Sequence, residues 1–269
     1  MANNQININT SVMNTLQKFL GKHKDSYFII GGHAAAYNLS LQGLTFRVTR
    51  DYDIVIVSEV NDDIFASDLA GLLEDGGYQF GYKADSKKRI AYRFESPSND
   101  NYPEIIEFFV KEGTYVQSID ERFAKLNIVV DEEKISAMVL DKDIYAFSKN
   151  HVIEINDLMF VDKQCLIALK SYAYFENLRL YKEGKVKSDD YKKHARDILR
   201  IIGSFTENEI AKIDDLPDIL KNSLSDIVTV LISSNSQLKA YGLTKEFVVG
   251  LFKTLIGWTL SNNLDYLSI

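Results

Sequence analysis

Asp51 and Asp53 stand two residues apart at the head of Asp51–Val57 (DYDIVIV), a run rich in β-branched residues that reads as a strand. Residues i and i+2 of a strand point the same way, so the two carboxylates share a face with Cβ atoms roughly 7 Å apart. Tyr52, Ile54 and Ile56 then take the other face and pack. Two carboxylates on one face can hold hard divalent cations, and Mg²⁺ favours a few carboxylates completed by water and substrate phosphate. A third acid on a neighbouring strand would complete a two-metal site, whose ions lie about 3.5–4 Å apart. Glu107 is the choice, because it alternates with Ile106 and Phe108 in the strand candidate Ile105–Lys111; Glu104, beside Pro103 at the strand mouth, is the alternative. Gly31-Gly32 supply what carboxylates cannot. Glycine lets the backbone approach a phosphate, and amides at the start of a helix from His33 point at the anion. Gly31, Gly32 and His33 would thus cradle nucleotide phosphates bridged by two Mg²⁺. Each part also has a plain reading: a tight turn for Gly-Gly, a solvated strand edge for Asp-x-Asp, Arg47 and Arg50 paired with those acids, and a capping role for His33.

These residues need elements to hold them. Residues 10–22 have helical spacing, with Thr10 or Ser11 as cap and a stop near Gly21. Tyr27–Ile30 is a short buried strand, and His33–Leu39 contains helix formers without a breaker. Residues 62–75 return to helical period, and Tyr78–Tyr82, Arg89–Glu95 and Ile105–Lys111 read as strands. Residues 117–150 read as one or two strands and a short helix. From Asp162 the pattern is helical: one helix over 162–182, another over 188–203, and two or three across 206–268. The fold class is α/β, a small mixed sheet with helices in residues 1–155 followed by a helical domain in 156–269, with the active site expected between them.

Composition narrows the function. The chain has 269 residues, 46% hydrophobic and 26% charged, ordinary globular values. No apolar run reaches the roughly 18 residues of a membrane span. The polar, uncharged MANNQININT resembles neither a secretory signal nor a transit peptide, and a single Cys excludes an internal disulfide framework and a Cys-based zinc site. A reducing cytoplasm is the expected compartment. Net charge is −7, which argues against nucleic-acid binding by bulk electrostatics and leaves two local basic stretches, Lys87-Lys88-Arg89 and Lys182 to Arg196. Both also read as solvated surface.

The segments YFIIGGHAAAYNL, RVTRDYDIVIV and IIEFFV together resemble the minimal nucleotidyltransferase core, specifically the AbiEii-type toxin-like nucleotidyltransferases, over residues 25–203. The resemblance implies nucleotide-binding roles for Arg47 and Thr49 of the R-x-T-x-D-x-D strand. Leu169-Lys170-Ser-Tyr-Ala173 and Lys193-His-Ala-Arg-Asp197-Ile198 match the family's helical half, which implies a phosphate-binding Lys170 and a catalytic Asp197. Their bland readings are a snorkelling Lys170 and a surface pair of Lys193 with Asp197. Tyr172, Tyr174 and Phe175 read as core. Two departures stand out: His33 replaces the usual Ser or Thr, and Glu107 stands where Asp is common. The implied activity is transfer of a nucleoside monophosphate from an NTP to a hydroxyl of a tRNA end or a protein, with an antitoxin protein as partner and no membrane. The alternatives are a degenerate fold acting as a binding module, and a small-molecule transferase of the antibiotic-modifying kind.

Overall fold

The structure, a computed structural model, describes residues 5–6, 8–57, 63–82, 89–113, 123–130 and 133–259. The chain divides into two compact units, Met1–Asp162 and Lys163–Ile269.

The first unit is α/β. Its elements run β1 (Gln5–Ile6), α1 (Thr10–Leu20), β2 (Tyr27–Ile30), α2 (Gly31–Ser40), β3 (Phe46–Arg47), β4 (Asp51–Ile56), α3 (Asp63–Gly76), β5 (Gln79–Tyr82) and β6 (Arg89–Glu95). There follow β7 (Ile105–Lys111), β8 (Phe123–Val130), β9 (Glu133–Leu140), α4 (Lys142–Asn150), β10 (Val152–Ile155) and β11 (Leu158–Val161). One mixed sheet runs β10-β11-β2-β4-β7-β6-β5. β4 is antiparallel to β2 and parallel to β7. The far edge of β7 is shared: Ile105–Glu107 pair with β6, and Phe109–Lys111 pair with β9, which carries β8. β1 and β3 form a separate two-stranded ribbon.

Burial explains the pattern of β4. Asp51 and Asp53 are half-buried and alternate with buried Tyr52 and Ile54, after which Val55 and Ile56 are both buried. The acids therefore occupy the half-solvated end of a strand covered on both faces further along, as central strands of mixed sheets are. α2 is buried from Gly32 to Leu39, so it lacks the polar stripe of a surface helix. It begins at Gly31, two residues before the expected start. The cap of α1 is Asn9, whose side chain accepts from the amides of Ser11 and Val12, in place of Thr10 or Ser11. The unit ends at Asp162, because β11 pairs in parallel with β2 and β10 pairs with β11.

The second unit is helical: α5 (Lys163–Lys182), α6 (Ser188–Ile202), α7 (Asp218–Ile232), α8 (Asn235–Ala240) and α9 (Lys245–Ile256). α6 buries Ala195, Ile198, Leu199, Ile201 and Ile202 on one stripe, the i, i+3, i+4 spacing of a packed helix. α7 and α9 bury leucine, isoleucine, valine and phenylalanine stripes in the same way.

Candidate functional site

The register of three strands builds an acidic row. Asp53 on β4 lies opposite Glu107 on β7, and Glu107 lies opposite Arg93 on β6. Side chains alternate along a strand, so Asp51, Asp53, Glu107, Arg93 and Glu95 all emerge on one face of the sheet. Gly31 meets this row directly. Its φ is +75°, and a Cβ there would overlap Asp53 Oδ2 and lie 2.9 Å from Asp53 Cγ. A Cβ on Gly32 would overlap Thr49 Oγ1 and lie 2.9 Å from Thr49 Cβ. Only glycine meets both demands at position 31, a left-handed backbone and a carboxylate in the space of a side chain.

Arg93 brings a positive charge into the row. Its Nη1 contacts Glu107 Oε1 and lies 3.4 Å from Asp51 Oδ1, and its Nε lies 3.3 Å from Glu95 Oε2. Burial pushes the Glu107 carboxyl above the usual carboxylate range; Arg93 pulls it back, and the charges of Asp51 and Glu95 add to the rise. Among the described residues no three His, Cys, Asp or Glu side chains converge as a metal-binding group. The chemistry of the donors still fits a hard divalent ion, since Asp51, Asp53 and Glu107 offer carboxylate oxygens from adjacent strands around a spot the chain fills with a cation of its own. Glu104, the alternative third acid, is exposed at the mouth of β7 and pairs with Arg50. Arg47 donates to the Val48 carbonyl at 3.1 Å, and its guanidinium lies 5.5 Å from the Phe46 ring.

The His33 ring turns away from the acidic row. It stacks on Tyr52 with centroids 3.5 Å apart and planes 14° apart, on the side of β4 away from Asp51 and Asp53. Burial lowers its pKa to about 3, with the charge of Arg47 adding and a hydrogen bond to the Thr49 backbone opposing. A neutral ring bonded to Thr49 ties α2 to the segment entering β4, which also differs from a cap on its own helix. A cavity of about 460 Å³ opens on this Tyr52 side, lined among others by His33, Tyr37, Thr49, Arg50 and Glu104; none of Asp51, Asp53 and Glu107 lines it.

No protein-family model matches the chain, and no curated protein matches it.

The helical residues find each other. Lys170 Nζ donates to Asp197 Oδ2 at 3.0 Å, joining α5 to α6, and Arg200 Nη1 lies 3.5 Å from Asp197 Oδ1. Asp197 has no exposed surface and Lys170 is 5% exposed, so neither the snorkelling lysine nor the surface pair with Lys193 describes them. Lys193 lies 4.0 Å from Asp190. Tyr174 is buried and meets Phe175 and Tyr191 edge-on, as core aromatics do. In the second basic stretch, Arg196 pairs with Asp189 and Lys185 with Glu183. Lys87 and Lys88 lie outside the described residues.

Sequence reasoning missed Arg93. Its signal was alternation: in Arg89–Glu95 it shares a face with Glu95, the register of a charged stripe on a half-solvated strand. Among the described residues no helix is long and apolar enough to cross a membrane.

Proposed function

We propose that the chain is a minimal nucleotidyltransferase that moves a nucleoside monophosphate from an NTP to an acceptor hydroxyl, with Mg²⁺ as its cofactor. One observation carries this reading: Gly31, at positive φ, presses on the carboxylate of Asp53, so the Gly-Gly turn and the acidic row form one construction. A plain tight turn needs no such contact. The first turn of α2 has no side-chain cap, which leaves its amides to bind phosphate oxygens. Asp51, Asp53 and Glu107 would hold the Mg²⁺. When bound, the ion supplies a lowered pKa for the acceptor hydroxyl and charge compensation for the departing pyrophosphate. The acceptor oxygen gives up its proton to solvent and bonds to the α-phosphorus while the bond from that phosphorus to the bridging oxygen breaks, and pyrophosphate carries off the electron pair. The His33 side chain acts by holding Thr49 and the entry to β4. The Lys170–Asp197 pair acts by holding α5 against α6. The acceptors proposed are a tRNA end or a protein side chain, those of a toxin with an antitoxin partner.

The test is incubation of the protein with each α-labelled NTP, Mg²⁺ and total cellular RNA or protein. Label should enter one pool, and Asp53→Asn should remove it. Glu107→Gln should lose transfer by orders of magnitude while Glu104→Gln keeps it. A wild-type protein that labels neither pool with any NTP refutes the reading. Arg93 among the acids favours one rival, a binding module without chemistry, which would retain NTP and yield no labelled product.

A further inference from the structure

Arg93 belongs to none of the motifs above, yet it touches Asp51, Glu95 and Glu107 of the acidic row. A ladder partner for Glu107 would need only that one contact. Arg93 instead spreads across three acids on three strands: Nη1 reaches Glu107 on β7 and Asp51 on β4, and Nε reaches Glu95 on its own strand β6. One terminal nitrogen therefore stands between Asp51 and Glu107, where an ion shared by those two carboxylates would stand. The inner nitrogen, Nε, is anchored on Glu95, which stands level with Asp51 on the other side of β7. Carboxylates crowded on one face repel each other strongly when partly desolvated, so a chain without its ion must supply a counter-charge from within.

We propose that Arg93 is a resident counter-cation that exchanges between two anions: it neutralises Asp51 and Glu107 when no metal is bound, and it turns about its Glu95 anchor onto the NTP phosphates when metal enters. The inference rests on the metal-dependent reading above. Guanidinium suits the exchange, because its fixed fork binds carboxylate and phosphate alike and keeps its charge in both settings. Two consequences of opposite sign follow. Removing Arg93 frees the acids, so metal binds more tightly without nucleotide. The same change deletes a phosphate partner, so nucleotide binds more weakly once metal is present. An arginine that merely sits nearby would produce the first effect without the second.

The experiment measures both on the full chain. Mn²⁺ uptake without nucleotide is followed by the loss of the free-ion electron paramagnetic resonance signal. Affinity for fluorescent NTP analogues with a non-cleavable α–β bridge, of all four bases, is measured by anisotropy at saturating Mn²⁺. Arg93→Met should bind Mn²⁺ on the order of tenfold more tightly than wild type, and the analogue on the order of tenfold more weakly, within the range of site–site coupling in proteins. Arg93→Lys keeps the charge without the fork, so it should keep wild-type Mn²⁺ affinity and bind the analogue with intermediate strength; it also carries the test if the Met variant folds poorly. Tighter Mn²⁺ with unchanged analogue affinity overturns the exchange. Unchanged Mn²⁺ affinity in Arg93→Met, with Asp53→Asn still weakening Mn²⁺ uptake, overturns the Arg93 inference and leaves the metal site standing. No Mn²⁺ uptake by wild type or Arg93→Met overturns both.

Discussion

Replacing Lys170 by Met isolates what the buried pair does. The substitution keeps most of the side-chain volume and removes the ammonium, leaving Asp197, which has no exposed surface, without its 3.0 Å partner. Breaking one side of a buried ion pair costs about 3–5 kcal/mol, because the remaining charge stays desolvated. Arg200, 3.5 Å from the other carboxylate oxygen, compensates in part and argues for the lower end, about 3 kcal/mol. For a unit of this size each kcal/mol moves the melting temperature by roughly 4 °C, so Lys170→Met should melt about 12 °C lower. Adding Asp197→Leu removes the stranded charge, and the double variant should recover to within about 1 kcal/mol of wild type. Differential scanning calorimetry and urea midpoints on the two single variants and the double give the coupling energy directly. Additive losses would refute the pairing argument. So would a Lys170→Met protein that melts within about 3 °C of wild type yet loses transfer, since that would make Lys170 a catalytic cation rather than a packing one.

Gly31→Ala should cost at least the roughly 1–2 kcal/mol of a left-handed non-glycine residue, plus the overlap with Asp53, and should abolish transfer. In an Asp53→Gly background the overlap part should vanish, read as a smaller shift in urea midpoint; an equal shift in both backgrounds would show that Asp53 is not what excludes the Cβ. His33 sets a pH dependence. Its pKa is about 3 in the fold against 6.5 for an ordinary histidine, so between those values the unfolded chain holds the extra proton. Stability therefore rises with pH across that window and is lost as pH falls, with a slope from this group of at most about 1.4 kcal/mol per pH unit. His33→Phe should flatten the curve of urea midpoint against pH from 6.5 to 4 relative to wild type, and parallel curves would show that the ring titrates in the fold.

Much of the frame is legible in local pattern. Period-2 alternation marks β4 and β7 and sorts Asp51, Asp53 and Glu107 onto faces, because the pleat dictates orientation without regard to what lies alongside. Helical periodicity marks α1, α3 and α6 for the same reason, whereas α5, expected as an amphipathic helix, buries Cys165 to Ala168 in succession and so is covered on more than one face. β10 and β11 carry only a turn signal: Asn156 and Asp157, both at positive φ, turn VIEI back on LMFV, the chemistry of a two-residue hairpin. Their four-residue strands are too short for periodicity to stand out.

What no local pattern carries is partnership across strands and between helices. That Asp53 faces Glu107, that Arg93 on β6 reaches Asp51 and Glu107, and that Lys170 meets Asp197 all depend on register and packing set by residues 14 to 54 positions away. The direction of His33 belongs to the same class. Its place after two glycines suggests a phosphate contact, but the ring turns inward because burial among Tyr52, Tyr37 and Thr49 is available on the other side of β4. The sequence by itself determined which residues are glycine and acid and which way each strand residue points, since those follow from the chain's own stereochemistry. Which charges meet was decided only by the tertiary structure, because Coulomb and desolvation energies depend on distances that folding alone sets.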